Sequence, residues 1–300
     1  MLWHLVVHAA FGRAPFWDFE LAAFAWRRLR DAFPEALAAV LMPNHVHLVS
    51  ALDHPDRGRR RLAKVMSGVT RSGTCGLAPP LWTPVAPPVM VPDTHQLRRV
   101  VRYVVLNPCR ARLAIDPLSW IWSTHRDVVG AAAEPWVTGG RLARVLGASE
   151  SGFAINFHAY VSGDPSVSTS GTPAPRPAAP SVIPSALLDE VARAAAAAWR
   201  VTPSAIRSRT PARRLFVQLA RVVGWRDTRL LADECGVTLD AVHRLEHLPG
   251  IGLDAGLMCL GDARLRQSPS AAQVVIGPKS RGHDSTLGAR TQGVAEFGRG

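Results

Sequence analysis

Hydrophobic positions along the first half of the chain switch between two periods. Leu2 to Ala9 is rich in Leu and Val and reads as a strand. Beyond Asp18, a helix-capping residue type, Leu21, Phe24, Ala25 and Leu29 recur on one face while Arg27, Arg28 and Arg30 fall off it. That pattern predicts a helix to Phe33. Leu37 to Met42 and His45 to Ala51 are β-prone runs split by the turn dipeptide Pro43-Asn44. Arg59 to Thr70 predicts a basic helix. Pro79 to Pro92 holds six prolines, which exclude a central strand and allow only an edge strand over Val85 to Val91. Thr94 to Leu106 is helical again and is expected to stop before Pro108. This order predicts an α+β fold with helices packed on an antiparallel sheet.

Two composition breaks follow. Residues 164–184, with Pro165, Pro173, Pro175, Pro177, Pro180 and Pro184 among small polar residues, read as a linker. Residues 185–266 read as an all-helical domain. Ser185 is expected to cap Ala186 to Trp199, followed by Thr202 to Ile206, Pro211 to Val223, Asp227 to Glu234 and Thr238 to Leu248. The Cys235-Gly236-Val237 turn between the last two, the second bearing His and Arg, has the helix-turn-helix pattern. From Gln267 to Gly300 small residues without apolar periodicity predict a disordered tail. The domains so read are 1–163, 164–184, 185–266 and 267–300.

Charge sharpens the picture. The 300 residues carry 35 Lys+Arg against 23 Asp+Glu, a net +12, and Lys64 and Lys279 are the only lysines. The excess is therefore arginine, whose planar fork matches phosphate oxygens, and nucleic acid becomes the leading partner class. Leu2 to Phe11 lacks a basic leader and is interrupted by His4 and His8, so neither a signal peptide nor a membrane partner is expected. Cys75, Cys109, Cys235 and Cys259 lie far apart, which argues against a zinc knuckle or a disulfide framework. They read as buried small hydrophobes of a cytoplasmic protein, nucleoid-associated when on DNA.

Two segments carry chemistry. His45 and His47 stand two apart on a predicted strand, so both imidazoles project from one face, where two such groups can hold a divalent cation and leave positions open for phosphate oxygens. Taken singly, each reads rather as a half-buried strand histidine. Tyr103 and Asn107 stand four apart on one helix face, with Arg99 one turn earlier. A phenol with pKa ~10 attacks phosphorus only when its target is polarised, which a metal on the histidines would supply. Read singly, Tyr103 is a core tyrosine and Asn107 a helix-terminal residue.

Together, the His-hydrophobic-His strand and the helix with Tyr-x-x-x-Asn-Pro resemble the single-tyrosine HUH transposases, in the branch associated with repetitive extragenic palindromes. The resemblance covers residues 3–163. It rests on the run Leu41 to Val49, Arg102-Tyr103 through Asn107-Pro108, Arg110-Ala111-Arg112-Leu113, Pro117, Trp120, Trp122-Ser123, Gly130 and Tyr160-Val161. It implies a ferredoxin-like or RRM-like sheet, Mg²⁺ or Mn²⁺ on His45 and His47, Asn107 as a polar third ligand and Tyr103 as nucleophile. Arg112 departs from the family's usual glycine, Ala9 to Arg13 is more apolar than usual, and Pro79 to Pro92 replaces a more aromatic and basic stretch. Residues 185–266 are similar, more weakly, to the DNA-binding domain of the DnaA replication initiator through Val201-Thr202, the Arg207 region, Ala212-Arg213-Arg214 and Leu231-Ala232 to Val242. The initiator's base-reading signature is absent at Leu239 to Val242.

The function implied is metal-dependent cleavage and strand transfer of single-stranded or hairpin DNA through a 5′-phosphotyrosine, serving transposition. A homodimer is left open as a partner. Arg57, Arg59, Arg60, Arg61, Arg98, Arg99, Arg102, Arg110 and Arg244 are the candidate DNA contacts. Two alternatives stand beside it: a rolling-circle-type HUH nuclease, and a domesticated DNA-binding regulator that no longer cuts.

Overall fold

The computed structural model describes residues 1–72, 80–175 and 186–267. Cys75, Ser185, the linker from Arg176 onward and the tail beyond Gln267 lie outside the described residues. The first part contains β1 (Leu2–His8), α1 (Phe19–Ala32), β2 (Ala36–Met42), β3 (His45–Ala51), α2 (Pro55–Arg71), β4 (Val89–Val91) and α3 (Thr94–Arg110). The four strands form one antiparallel sheet in the order β2-β3-β1-β4. With a β-α-β-β-α-β chain order, this is the ferredoxin-like, split βαβ arrangement. The expected α+β class holds.

Local chemistry explains the elements. The Asp18 carboxylate accepts from the Leu21 amide at 2.9 Å and caps α1. One sheet face, with Leu5, Val7, Val46 and Leu48, is buried in the main core with α1 and α2, and Val7 shares a cavity with Ala63 and Met66 of α2. The outer edge of β2 is covered by residues 120–124: Leu41 N donates to Trp122 O at 3.0 Å, and Trp120 Nε1 to Leu41 O at 2.9 Å. On the opposite edge the prolines confine β4 to Val89–Val91, shorter than the Val85 start allows.

One expectation is corrected at α3, which does not stop before Pro108 but runs through it to Arg110. Proline lacks the N–H that would bond the Val104 carbonyl. Asn107 replaces that donor, its Nδ2 lying 3.3 Å from Val104 O and 3.0 Å from Tyr103 O. The side chain thereby satisfies the carbonyl that the proline orphans.

Short helices α4 (His125–Val128), α5 (Gly139–Val145) and α6 (Phe153–Ser162) complete the first part. Then follow α7 (Leu188–Trp199), α8 (Pro211–Val222), α9 (Thr228–Cys235), α10 (Leu239–His247) and α11 (Leu253–Gly261). The first of these begins at Leu188 rather than Ala186, its Leu187 N–H bonded to the Glu190 carboxylate at 3.2 Å. Gly236, with φ of 62°, ends α9 in the left-handed conformation, and Thr238 caps α10.

The described residues form one compact unit. It has two hydrophobic cores, one under the sheet and one among α7 to α11, and Leu118, Val129 and Ala131 of the first part belong to the second. A buried ion pair between Asp127 and Arg200 crosses between them, and Arg126 donates to Leu265 O at 2.6 Å. Along residues 164–175, Ser170 Oγ donates to Asp116 at 2.6 Å, and the Thr172 carbonyl lies 2.9 Å from His158 Nε2. Cys109, Cys235 and Cys259 are buried and free, as expected. Among the described residues no helix is long and apolar enough to cross a membrane.

Candidate active site

The register of β1 against β3 assembles the site. His8 lies opposite His45 and Val6 opposite His47, so residues 4, 6 and 8 share a sheet face with 45 and 47. Four imidazoles result on one surface. The His8 and His45 rings stack at 5.0 Å, those of His4 and His47 at 5.2 Å, and His45 stands edge-on to His47 at 4.9 Å. Helix α3 crosses this face and brings in Tyr103, whose ring stands edge-on to His47 at 5.6 Å and to His4 at 6.4 Å. Tyr103 remains 41% exposed.

Burial sets the charge state. It pushes the His4 imidazole down to about 4 and that of His45 to about 4, with His8 adding repulsion. His47 falls to about 2, first from burial and then from His4, His45 and His8. All three are neutral lone-pair donors at neutral pH. The His45 Nδ1 lies 2.7 Å from Asn44 Oδ1, an oxygen that only accepts, so Nδ1 carries the proton and Nε2 is the free donor atom. The His47 Nδ1 lies 3.0 Å from His4 Nε2. Among the described residues no group of three or more His, Cys, Asp or Glu side chains is arranged around a metal position. His45 and His47 are the residues that could hold a divalent cation, with its remaining ligands drawn from oxygens.

The other predicted residues divide. Asn107 is buried, its amide nitrogen committed to its own helix, and no hydrogen bond or ring contact joins it to the histidines among the described residues. Arg102 and Arg110 converge on Asp164, at 3.1 and 3.3 Å. The Arg110 guanidinium lies 5.4 Å over the Tyr103 ring, and that of Arg102 lies 4.5 Å over Tyr160. Against the cost of its burial, hydrogen bonds from Ser166 and then the two arginines hold the Asp164 carboxyl below the ordinary aspartate value. Arg99 occupies the same helix, half-buried, and Arg98 donates to Leu146 O at 3.0 Å. Arg57, Arg59, Arg60 and Arg61 lie on α2, against the opposite sheet face, with Arg61 bonded to Ala32 O at 3.1 Å. Arg244 is exposed on α10. These five are not brought to the histidine face.

Sequence reasoning missed His4, His8, Asn44 and Asp164. The period-two spacing of residues 4, 6 and 8 was the available signal for the histidines.

No family model and no curated protein matches the chain. No comparison supports a likeness of residues 185–266 to an initiator DNA-binding domain. A solved structure, a REP-associated tyrosine transposase bound to a REP hairpin, is similar to part of the chain. The match covers 42% of this chain and 78% of that one, at 24% identity and a TM-score of 0.36.

Proposed function

We propose that this chain is a transposase that cuts and rejoins single-stranded DNA, probed best as hairpin DNA, through a tyrosine-bound intermediate. The observation that carries this reading is the edge-on approach of the half-exposed Tyr103 ring to His47, on the face that also bears His45. Tyr103 attacks the phosphorus in line. A bond forms between its oxygen and the phosphorus, the bond to the 3′ oxygen breaks, and the phenol proton leaves to solvent as the 3′ oxygen gains one. Because one phosphoester replaces another, a 3′-hydroxyl reverses the step without an external energy source. His45 and His47, with Asn107 as the expected polar third ligand, would hold a divalent ion, Mg²⁺ or Mn²⁺, whose charge would polarise the phosphate.

Arg110, against the Tyr103 ring, and Arg102 share the single carboxylate of Asp164, so one positive charge remains to meet the DNA backbone beside the nucleophile. Residues 164–184 act as the connection to 185–266, whose exposed Arg244 serves target binding rather than chemistry.

The test is a calorimetric Mn²⁺ titration of the His45→Ala/His47→Ala variant, with circular dichroism as the folding control. A folded variant without Mn²⁺ binding is the expected result. Unchanged binding overturns the assignment of the metal to this pair.

A further inference from the structure

Phe11 breaks two rules at once. It is 79% exposed, among the most exposed large apolar side chains of the described residues. Its backbone is also left-handed, with φ 57° and ψ 34°, a conformation that costs a bulky L-residue and suits glycine. Neither burial nor local geometry therefore accounts for a phenyl ring here. A strained, exposed residue needs a purpose outside its own core.

Its place in the fold suggests one. Phe11 follows the end of β1, where the Ala9 amide donates to the Asn44 carbonyl at 2.6 Å, immediately before His45. Phe11 lies three positions beyond His8, which is stacked on His45, so it stands within about 10 Å along the chain of the histidine face. The loop is anchored on its other side as well. Ala10 N donates to Leu81 O at 2.8 Å, and Arg13 Nη1 to Pro80 O at 3.3 Å. The Arg13 guanidinium lies 5.4 Å over the Phe11 ring. An exposed aromatic ring next to a surface read as handling phosphate has the composition of a nucleobase platform, on which an unpaired base stacks.

We propose that Phe11 is a stacking platform for an unpaired base of the single strand, beside the phosphate held at the histidine face. This rests on the reading of that face as a single-strand DNA site. The ring sets the position of the strand and takes no part in bond breaking.

The test uses the full chain in EDTA with a short oligothymidylate carrying one 2-aminopurine, whose fluorescence is quenched by stacking. Phe11→Ala should weaken binding about 5- to 150-fold and abolish the quench, with the salt dependence of affinity unchanged because no phosphate contact is lost. Phe11→Trp should keep both affinity and quench. Phe11→Gly removes the ring while relieving the backbone, so it should melt higher than wild type yet bind as weakly as Phe11→Ala. Wild-type affinity and quench in both ring-less variants overturn the stacking role and leave the proposed nuclease standing. A wild-type chain that binds no single strand overturns both.

Discussion

The ion pair that crosses between the two cores invites a quantitative perturbation. Asp127 accepts from Arg200 through one oxygen and from the Trp136 and Val137 amides, at 2.9 and 3.4 Å, through the other. Arg200 donates as well to Ile121 O at 2.9 Å and Ser123 O at 3.2 Å, and its guanidinium lies 5.0 Å over Trp26. Both side chains are buried. Arg200→Met leaves a buried carboxylate with two backbone donors, for which a loss of about 3–5 kcal/mol is expected. With a urea slope of about 3 kcal/mol/M, the midpoint should drop by about 1–1.7 M. Asp127→Asn should cost less, about 1.5–3 kcal/mol, because two carbonyls and the Trp26 face still hold the cation. In the double variant no unpaired charge remains, so its loss should fall clearly short of the sum of the singles. Urea unfolding followed by tryptophan fluorescence and far-ultraviolet circular dichroism measures all three. A midpoint shift under about 0.3 M for Arg200→Met, or strict additivity in the double variant, refutes the reasoning.

Two further predictions concern the surroundings of Tyr103. Asn107→Ala should cost about 1–3 kcal/mol by orphaning the Val104 carbonyl, and much less in a Pro108→Ala background, where the new backbone N–H takes over; equal losses in both backgrounds would contradict that role. The Asp164 carboxyl is held below its ordinary 3.8 in the fold, so its stabilisation is present above that pH and is lost as pH falls through the lowered value. Asp164→Asn should therefore flatten the acid limb of a melting-temperature profile below pH 4, and an unchanged limb counts against the Arg102–Asp164–Arg110 cluster.

Much of the fold is legible because local and long-range preferences agree. Asp18 caps where a capping residue precedes an amphipathic run, and Val46 and Leu48 face the core, as alternation requires. His45 and His47 share a face for the same reason. His4 and His8 escape notice because their partners depend on the β1–β3 register, which no local turn encodes: the two strands are separated by α1 and β2. Pro108 reads as a stop because the rule considers the missing N–H and not a neighbouring amide able to replace it. Proline-rich composition hides Asp164, whose meaning is set by two arginines more than fifty residues earlier. Helix periodicity shows α2 to be basic but not which sheet face it covers, so its arginines look as available to the site as those of α3.

The central claim is that Tyr103 is the nucleophile, and covalent capture tests it most directly. Labelled single-stranded hairpin DNA is incubated with the protein and Mn²⁺, and the products are resolved on a denaturing gel. Tyr103→Phe keeps the ring against His47 and removes only the attacking oxygen, so its fold should survive. Wild type should yield a slow-migrating protein–DNA adduct with the label 3′ to the cut, and Tyr103→Phe neither adduct nor cleavage. An adduct that persists in Tyr103→Phe contradicts the account and transfers the chemistry to another residue, Tyr160 being the other tyrosine of the chain.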